Sequence, residues 1–211
     1  TFVKRFGIPK SKIFLLPNWS PVENNIKSYS KFNNKKINLI YLGNIGIAQD
    51  FEILFSFIKT NPNFFLRIVG DGTELENIKK KVNRLNIKQK VLFYPFQKPG
   101  SFSKILQKSH FGIISLKDNI IAKITTPGKY QLYLSYSLPV IAFNIHSKKK
   151  EIEENKLGFY CDTSNIKNIS KKLIELNYRN YEKLRLNAKK TYKNSYNKKI
   201  ILDYFYEIIS S

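Results

Sequence analysis

The 211-residue sequence has no methionine, one cysteine, one tryptophan and two histidines. The lone thiol, Cys161, has no partner for an intrachain disulfide, so nothing marks an oxidising compartment. His110 and His146 lack metal-ligand spacing and have no serine or cysteine partner at triad spacing, so both read as structural or exposed and the catalytic residue stays unassigned. No apolar run approaches the roughly 18 residues of a membrane span, and no secretory signal opens the chain. A cytoplasmic protein is the expectation, and Asn18-Trp19-Ser20 is then an accidental match to a glycosylation acceptor. With no methionine and Thr1 in first place, the chain reads as part of something longer. Acidic residues are also scarce: 15 Asp and Glu stand against 37 Lys and Arg, a formal charge of +22. Such an excess suits nucleic acid, a membrane surface or an anionic substrate. The basic residues are scattered among Asn and Ile, however, as in Asn33-Asn34-Lys35-Lys36. Compositional bias of an AT-rich genome explains that pattern equally well.

Hydrophobic residues make up 42% and aromatic residues 14% of the chain, an ordinary globular balance. The length suffices for one large domain, burying roughly 70% of the surface of the unfolded chain. Short β-branched or aromatic runs alternate with amphipathic stretches, the pattern of repeated βα units and a parallel sheet. Strands are expected from Ile37 to Leu42, Phe64 to Val69, Val91 to Tyr94, Phe111 to Ser115, Pro139 to Phe143 and Gly158 to Cys161. Helices are expected from Phe51 to Lys59 and from Glu74 to Leu85, the second opened by a capping box of Thr73 and Glu76. After Cys161 three helical patterns follow, about Ile166 to Leu176, Tyr181 to Tyr192 and Lys198 to Ile209. The last carries more apolar surface than an exposed helix needs and should dock on something.

Three glycine-bearing segments are candidates for chemistry. Thr125-Thr126-Pro127-Gly128-Lys129-Tyr130-Gln131 reads as a helix start, with Thr126 as N-cap and Pro127 as first helical residue. Free amides at Gly128 and Lys129, together with the Lys129 ammonium, would suit a phosphate or diphosphate. A plain capped helix with a surface lysine accounts for the same residues. Val69-Gly70-Asp71-Gly72-Thr73 and Tyr41-Leu42-Gly43-Asn44-Ile45-Gly46 end predicted strands, where open α/β sheets place their ligand crevice. Tight-turn geometry alone also explains those glycines.

Taken in order, these segments resemble the C-terminal, donor-binding domain of family-four retaining glycosyltransferases with the two-domain GT-B fold. The resemblance rests on Leu16-Pro17-Asn18-Trp19, Tyr41 to Gln49, Arg67-Ile68-Val69-Gly70-Asp71-Gly72, Thr126-Pro127-Gly128-Lys129 and Leu138-Pro139-Val140-Ile141-Ala142. It implies a single nucleotide-sugar-binding domain over residues 1–211, Rossmann-like α/β, with 1–20 ending an interdomain connection and 165–211 a helical tail. It also implies a UDP-sugar donor, a polysaccharide or lipid-linked acceptor, no metal or other cofactor, and an absent N-terminal acceptor domain. Donor ligands implied by position are Gly43, Asn44, Gly46, Gln49, Gly70, Thr126, Gly128, Lys129 and Gln131. Two departures stand out. Asn44 and Gln49 occupy the turn where many members carry Arg and Lys, and the two glutamates eight residues apart are missing. Aligned on Pro139, the second glutamate falls at Leu132 or, shifted by one, at Gln131, whose amide could bond a ribose hydroxyl. The excess positive charge suits peripheral contact with the anionic inner face of a membrane. Two other readings are a nucleotide-sugar epimerase-like domain, which shares the fold, and a basic nucleic-acid-binding module. No recognised nucleic-acid motif supports the latter.

Overall fold

The computed structural model describes residues 6–20, 28–98 and 101–210, with the backbone alone at Ile121. Six parallel strands form one sheet: β1 (Ile37–Leu42), β2 (Phe64–Val69), β3 (Val91–Tyr94), β4 (Phe111–Ser115), β5 (Val140–Phe143) and β6 (Gly158–Cys161), in the order β3-β2-β1-β4-β5-β6. Helices connect them: α1 (Phe51–Thr60), α2 (Leu75–Arg84), α3 (Ser103–Gln107), α4 (Ile120–Ile124), α5 (Lys129–Ser135) and α6 (Lys149–Glu154). A helical region follows, made of α7 (Ile166–Glu175), α8 (Tyr178–Thr191), a π-helical turn at Tyr192–Tyr196, and α9 (Lys198–Ser210). The expected α/β class, the strands and the helical end of the chain are all present. The architecture is Rossmann-like, a parallel sheet with helices on both faces.

Alternation along β1 shows why both sheet faces are covered. Ile37, Leu39 and Tyr41 join one buried cluster with Phe55 and Phe57 of α1 and Leu173 of α7. Ile40 joins the other with Leu106 of α3, Tyr130 and Leu134 of α5, and Ile152 of α6. Side chains two apart share a face, so the strand must be apolar on both, which is why it reads as a continuous run.

The order reverses between β1 and β4, and that switch point opens a crevice at the carboxyl ends of the strands. Tyr133 of α5 bridges β1 and β4 in the core beneath it. Its hydroxyl accepts the Leu42 N–H at 2.9 Å and lies 3.2 Å from both the Ile40 and Ile113 carbonyl oxygens. Gly112 makes room for it, since a β-carbon there would overlap the Tyr133 ring.

Two helix starts differ from expectation. α2 begins at Leu75 with Glu74 at its cap position and no side-chain cap. The Thr73–Glu76 capping box does not form: the helix starts one residue too late for Thr73 to cap it, and the Glu76 carboxylate accepts from the Lys79 ammonium instead. α5 begins at Lys129 with Gly128 as cap, so neither the Thr126 cap nor the Pro127 start is present. The Thr126 hydroxyl instead lies 3.4 Å from the Ser147 Oγ, which donates to the Thr125 carbonyl at 2.8 Å.

α9 buries only Ile201 and leaves Phe205, Tyr206 and Ile209 exposed. An apolar face of this kind promotes association. Combining Phe205→Ser with Ile209→Ser is expected to reduce self-association on size-exclusion chromatography. A monomer whose elution the double substitution leaves unchanged would count against it.

Candidate donor site in the sheet crevice

Two glycine turns build one wall of the crevice. The Gly43 N–H bonds the Val69 carbonyl at 2.9 Å, and the Ile45 N–H bonds the Asp71 carbonyl at 2.8 Å. Gly70 and Gly72 have φ of +150° and +152°, and a β-carbon on either would overlap the Gly43 or Ile45 carbonyl. Both are therefore packing glycines that let the β2 turn lie against the β1 turn. Gln49 is spent in the same way: its Oε1 accepts the Gly46 N–H at 2.8 Å. The Asn44 side chain sits between Gly46 and Gly72, where a β-carbon on either would lie 2.8 Å from it.

Lys129 faces this wall. A cavity of about 460 Å³ is lined by Leu42 at the end of β1 and Gly43 after it, Lys129 and Leu132 of α5 with its cap Gly128, and Asn18 and Trp19 from the segment before the sheet. That volume lies in the range of small-molecule sites. The Lys129 ammonium rests 3.8 Å from the Tyr41 ring centroid, a cation–π contact on a phenol whose own ionisation burial suppresses. Among the described residues no carboxylate pairs with it. Desolvation consequently lowers its pKa to about 7. A half-buried ammonium without a counter-charge is unfavourable, and an anionic ligand entering the cavity would supply one.

Beyond β4 and β5 lies a polar chain that the sequence did not announce. The His146 Nε2 lies 2.9 Å from Asp118 Oδ1, and its Nδ1 lies 3.0 Å from the Tyr160 hydroxyl. His110, by contrast, is structural: its Nδ1 accepts the Asn38 N–H at 3.1 Å, and burial lowers its pKa to about 4.

The model of the glucosyltransferase 3-like C-terminal domain matches residues 39–205, from β1 into α9. The chain belongs to this family. An uncharacterised glycosyltransferase of Haemophilus influenzae is 28% identical over 149 residues, which are 68% of this chain and 40% of that protein. A crystal structure of S. aureus TarM with fondaparinux, α-GlcNAc-glycerol and UDP superposes with a TM-score of 0.74 at 17% identity, covering 99% of this chain and 41% of TarM. Anabaena HepE in complex with UDP gives a TM-score of 0.66 at 15% identity, over 83% of this chain and 49% of that one. The chain thus spans less than half the length of each of these proteins.

Within the domain, the nine residues expected around the donor divide by what they touch. Gly43, Gly128 and Lys129 line the cavity. Asn44, Gly46, Gln49 and Gly70 build its supporting turns, and Thr126 ties its loop to Ser147. Gln131 is buried, and with its amide nitrogen placed on the Pro127 and Gly128 carbonyls, at 3.3 Å each, it braces its own helical turn. Of the two alignments of the missing second glutamate, it is Leu132 that faces the cavity. Asn18 and Trp19 also line the cavity, although in the sequence their tripeptide reads only as an accidental glycosylation match.

Proposed function

We propose that this domain binds the diphosphate of a UDP-sugar in the β1–β4 crevice and, with an acceptor-binding domain, transfers the sugar with retention to a polysaccharide or lipid-linked acceptor. The observation that carries the reading is the Lys129 ammonium: desolvated, without a carboxylate partner among the described residues, and placed in the cavity at the switch point of a GT-B half. α5 has only seven residues, so its dipole adds little and the ammonium supplies the main attraction. UDP in the TarM and HepE structures supports the choice of nucleotide. The exposed apolar face of α9 and the exposed Phe14, Leu15 and Leu16 are the surface against which the second domain would pack.

On this reading the isolated chain binds donor without turning it over, because orientation of both substrates supplies much of the rate. Release of UDP from UDP-sugars in the presence of membrane extract is expected to stay at background, while calorimetry shows UDP binding. Robust acceptor-dependent release would refute the division of labour, and absence of UDP binding would refute the site.

A further inference from the structure

Trp19 lines a second cavity as well, also of about 460 Å³, whose wall includes Lys198, Lys199, Asp203 and Tyr206 of α9 and the Asn197 that precedes them. That volume again lies in the range of small-molecule sites. We infer that this cavity receives a sugar ring of the acceptor, with Trp19 as the wall it shares with the donor cavity. The inference rests on the donor-site reading above and adds to it an acceptor subsite on the same domain.

The lining has the chemistry of a saccharide site. Trp19 and Tyr206 are 39% and 60% exposed, so both leave aromatic surface to a ligand. The negative face of an aromatic ring attracts the C–H bonds of a sugar, and the hydroxyls around that sugar both donate and accept. Lys198 and Lys199 supply donors and Asp203 an acceptor, and among the described residues no ion pair engages any of the three. A purely anionic ligand would meet the Asp203 carboxylate, and a purely apolar one would strip water from all three charges. Asn197 is held in the same wall, its Oδ1 accepting the Lys199 N–H at 2.9 Å.

The two cavities share one frame. Asn18 lines the Lys129 cavity, Trp19 lines both and Ser20 lines the second, so three consecutive residues pass from one to the other. Ser20 is buried, and its Oγ lies 3.1 Å from that of Ser135, whose hydroxyl donates to the Leu132 carbonyl at 2.7 Å. Leu132 in turn lines the Lys129 cavity, so α5 supports both. On the α9 side, the π-helical turn that leads into the helix is anchored by the Tyr196 hydroxyl, which donates to Glu151 at 2.8 Å. Tyr206 also belongs to the exposed face of α9 against which the second domain would pack. The cavity therefore borders the junction at which an acceptor held by that domain would enter.

Trp19 is the only tryptophan of the chain, so its fluorescence reports on both cavities. The native chain is titrated with UDP and with methyl α-glucoside, methyl α-galactoside and N-acetylglucosamine, each sugar with and without saturating UDP. Saturation-transfer NMR of the same sugars reads binding that leaves the emission unchanged. At least one sugar should bind with a dissociation constant of about 1–10 mM, and UDP should not displace it. Asp203→Asn and Tyr206→Ala should each weaken that sugar about tenfold while UDP affinity stays within about twofold. Ile209→Ser, on the same helix but outside the cavity lining, should change neither. No response to any of the sugars at about 50 mM, displacement of the sugar by UDP, or an affinity unchanged in both cavity variants overturns the inference and leaves the donor site standing. Absence of UDP binding overturns the donor site and the acceptor subsite with it.

Discussion

Lys129→Ala is expected to weaken UDP binding about ten- to a hundredfold, the size of one charge-assisted hydrogen bond of roughly 1.5–3 kcal/mol, and to leave uridine binding nearly unchanged. The contrast separates loss of a phosphate contact from damage to the cavity, because uridine lacks the phosphates. Lys88 is exposed and serves as a control for the diffuse positive field. Lys148 cannot serve, since its ammonium bonds Glu151 and Tyr196 at 2.6 Å each and its loss would disturb the anchor of the π-helical turn. Equal losses for UDP and uridine, or an equal loss at Lys88, would remove Lys129 from the site.

The lowered pKa of Lys129 adds a pH signature. With a value of about 7 in the free domain, the side chain is half-charged near neutrality, and a bound diphosphate favours the charged form. Affinity for UDP-glucose, whose diphosphate diester has no proton to lose in this range, should be level below pH 6 or so. It should then fall by up to about tenfold per pH unit above 7, and the dependence should vanish in Lys129→Ala. Stability of the ligand-free domain runs the other way. Between about 7 and the ordinary 10.5 the unfolded chain binds the extra proton, so stability rises with pH across that window.

The sheet was readable because each strand is a short, largely apolar run bounded by turn residues, and five of the six strands have the expected bounds; β5 starts at Val140 rather than Pro139. Helix starts were less readable, because other partners take the capping side chains: Lys79 takes the Glu76 carboxylate, and Ser147 holds the loop at Thr125 and Thr126. Whether a glycine approaches a ligand or another backbone is a tertiary question, and Gly70 and Gly43 looked alike in sequence although they play different parts. The place of Lys129 at a helix start was legible from its turn. The Asp118–His146–Tyr160 chain was not, since its members come from three strands with no common motif. The choice between Leu132 and Gln131 needed only the rotation of one helix, which sequence spacing does not fix when both faces are buried.

Gly70→Ala is expected to destabilise the domain by about 3 kcal/mol or more, more than any surface change in the same turn. At φ of +150° an alanine is strained before its surroundings are considered, and its β-carbon would overlap the Gly43 carbonyl. Relief by local shift is blocked: the Gly70 N–H is held by Tyr94, the Gly43 N–H by Val69 and the Ile45 N–H by Asp71, so the two turns must separate together. At about 2–4 °C per kcal/mol for a chain of this size, the melting temperature should drop by roughly 6–12 °C. Separation of the turns would also move Gly43 off the cavity wall, so whatever UDP binding survives should weaken. Gly128 provides the contrast within the same site. It has helical dihedrals, φ −58° and ψ −20°, and a β-carbon there meets nothing within 4 Å. Gly128→Ala should therefore be neutral or slightly stabilising, by up to about 1 kcal/mol, through the lower entropy of the unfolded chain. Chemical denaturation of both variants decides the matter. A Gly70→Ala protein as stable as Gly128→Ala would mean that the β1 and β2 turns are not locked together, and that the crevice wall they form is softer than its hydrogen bonds imply.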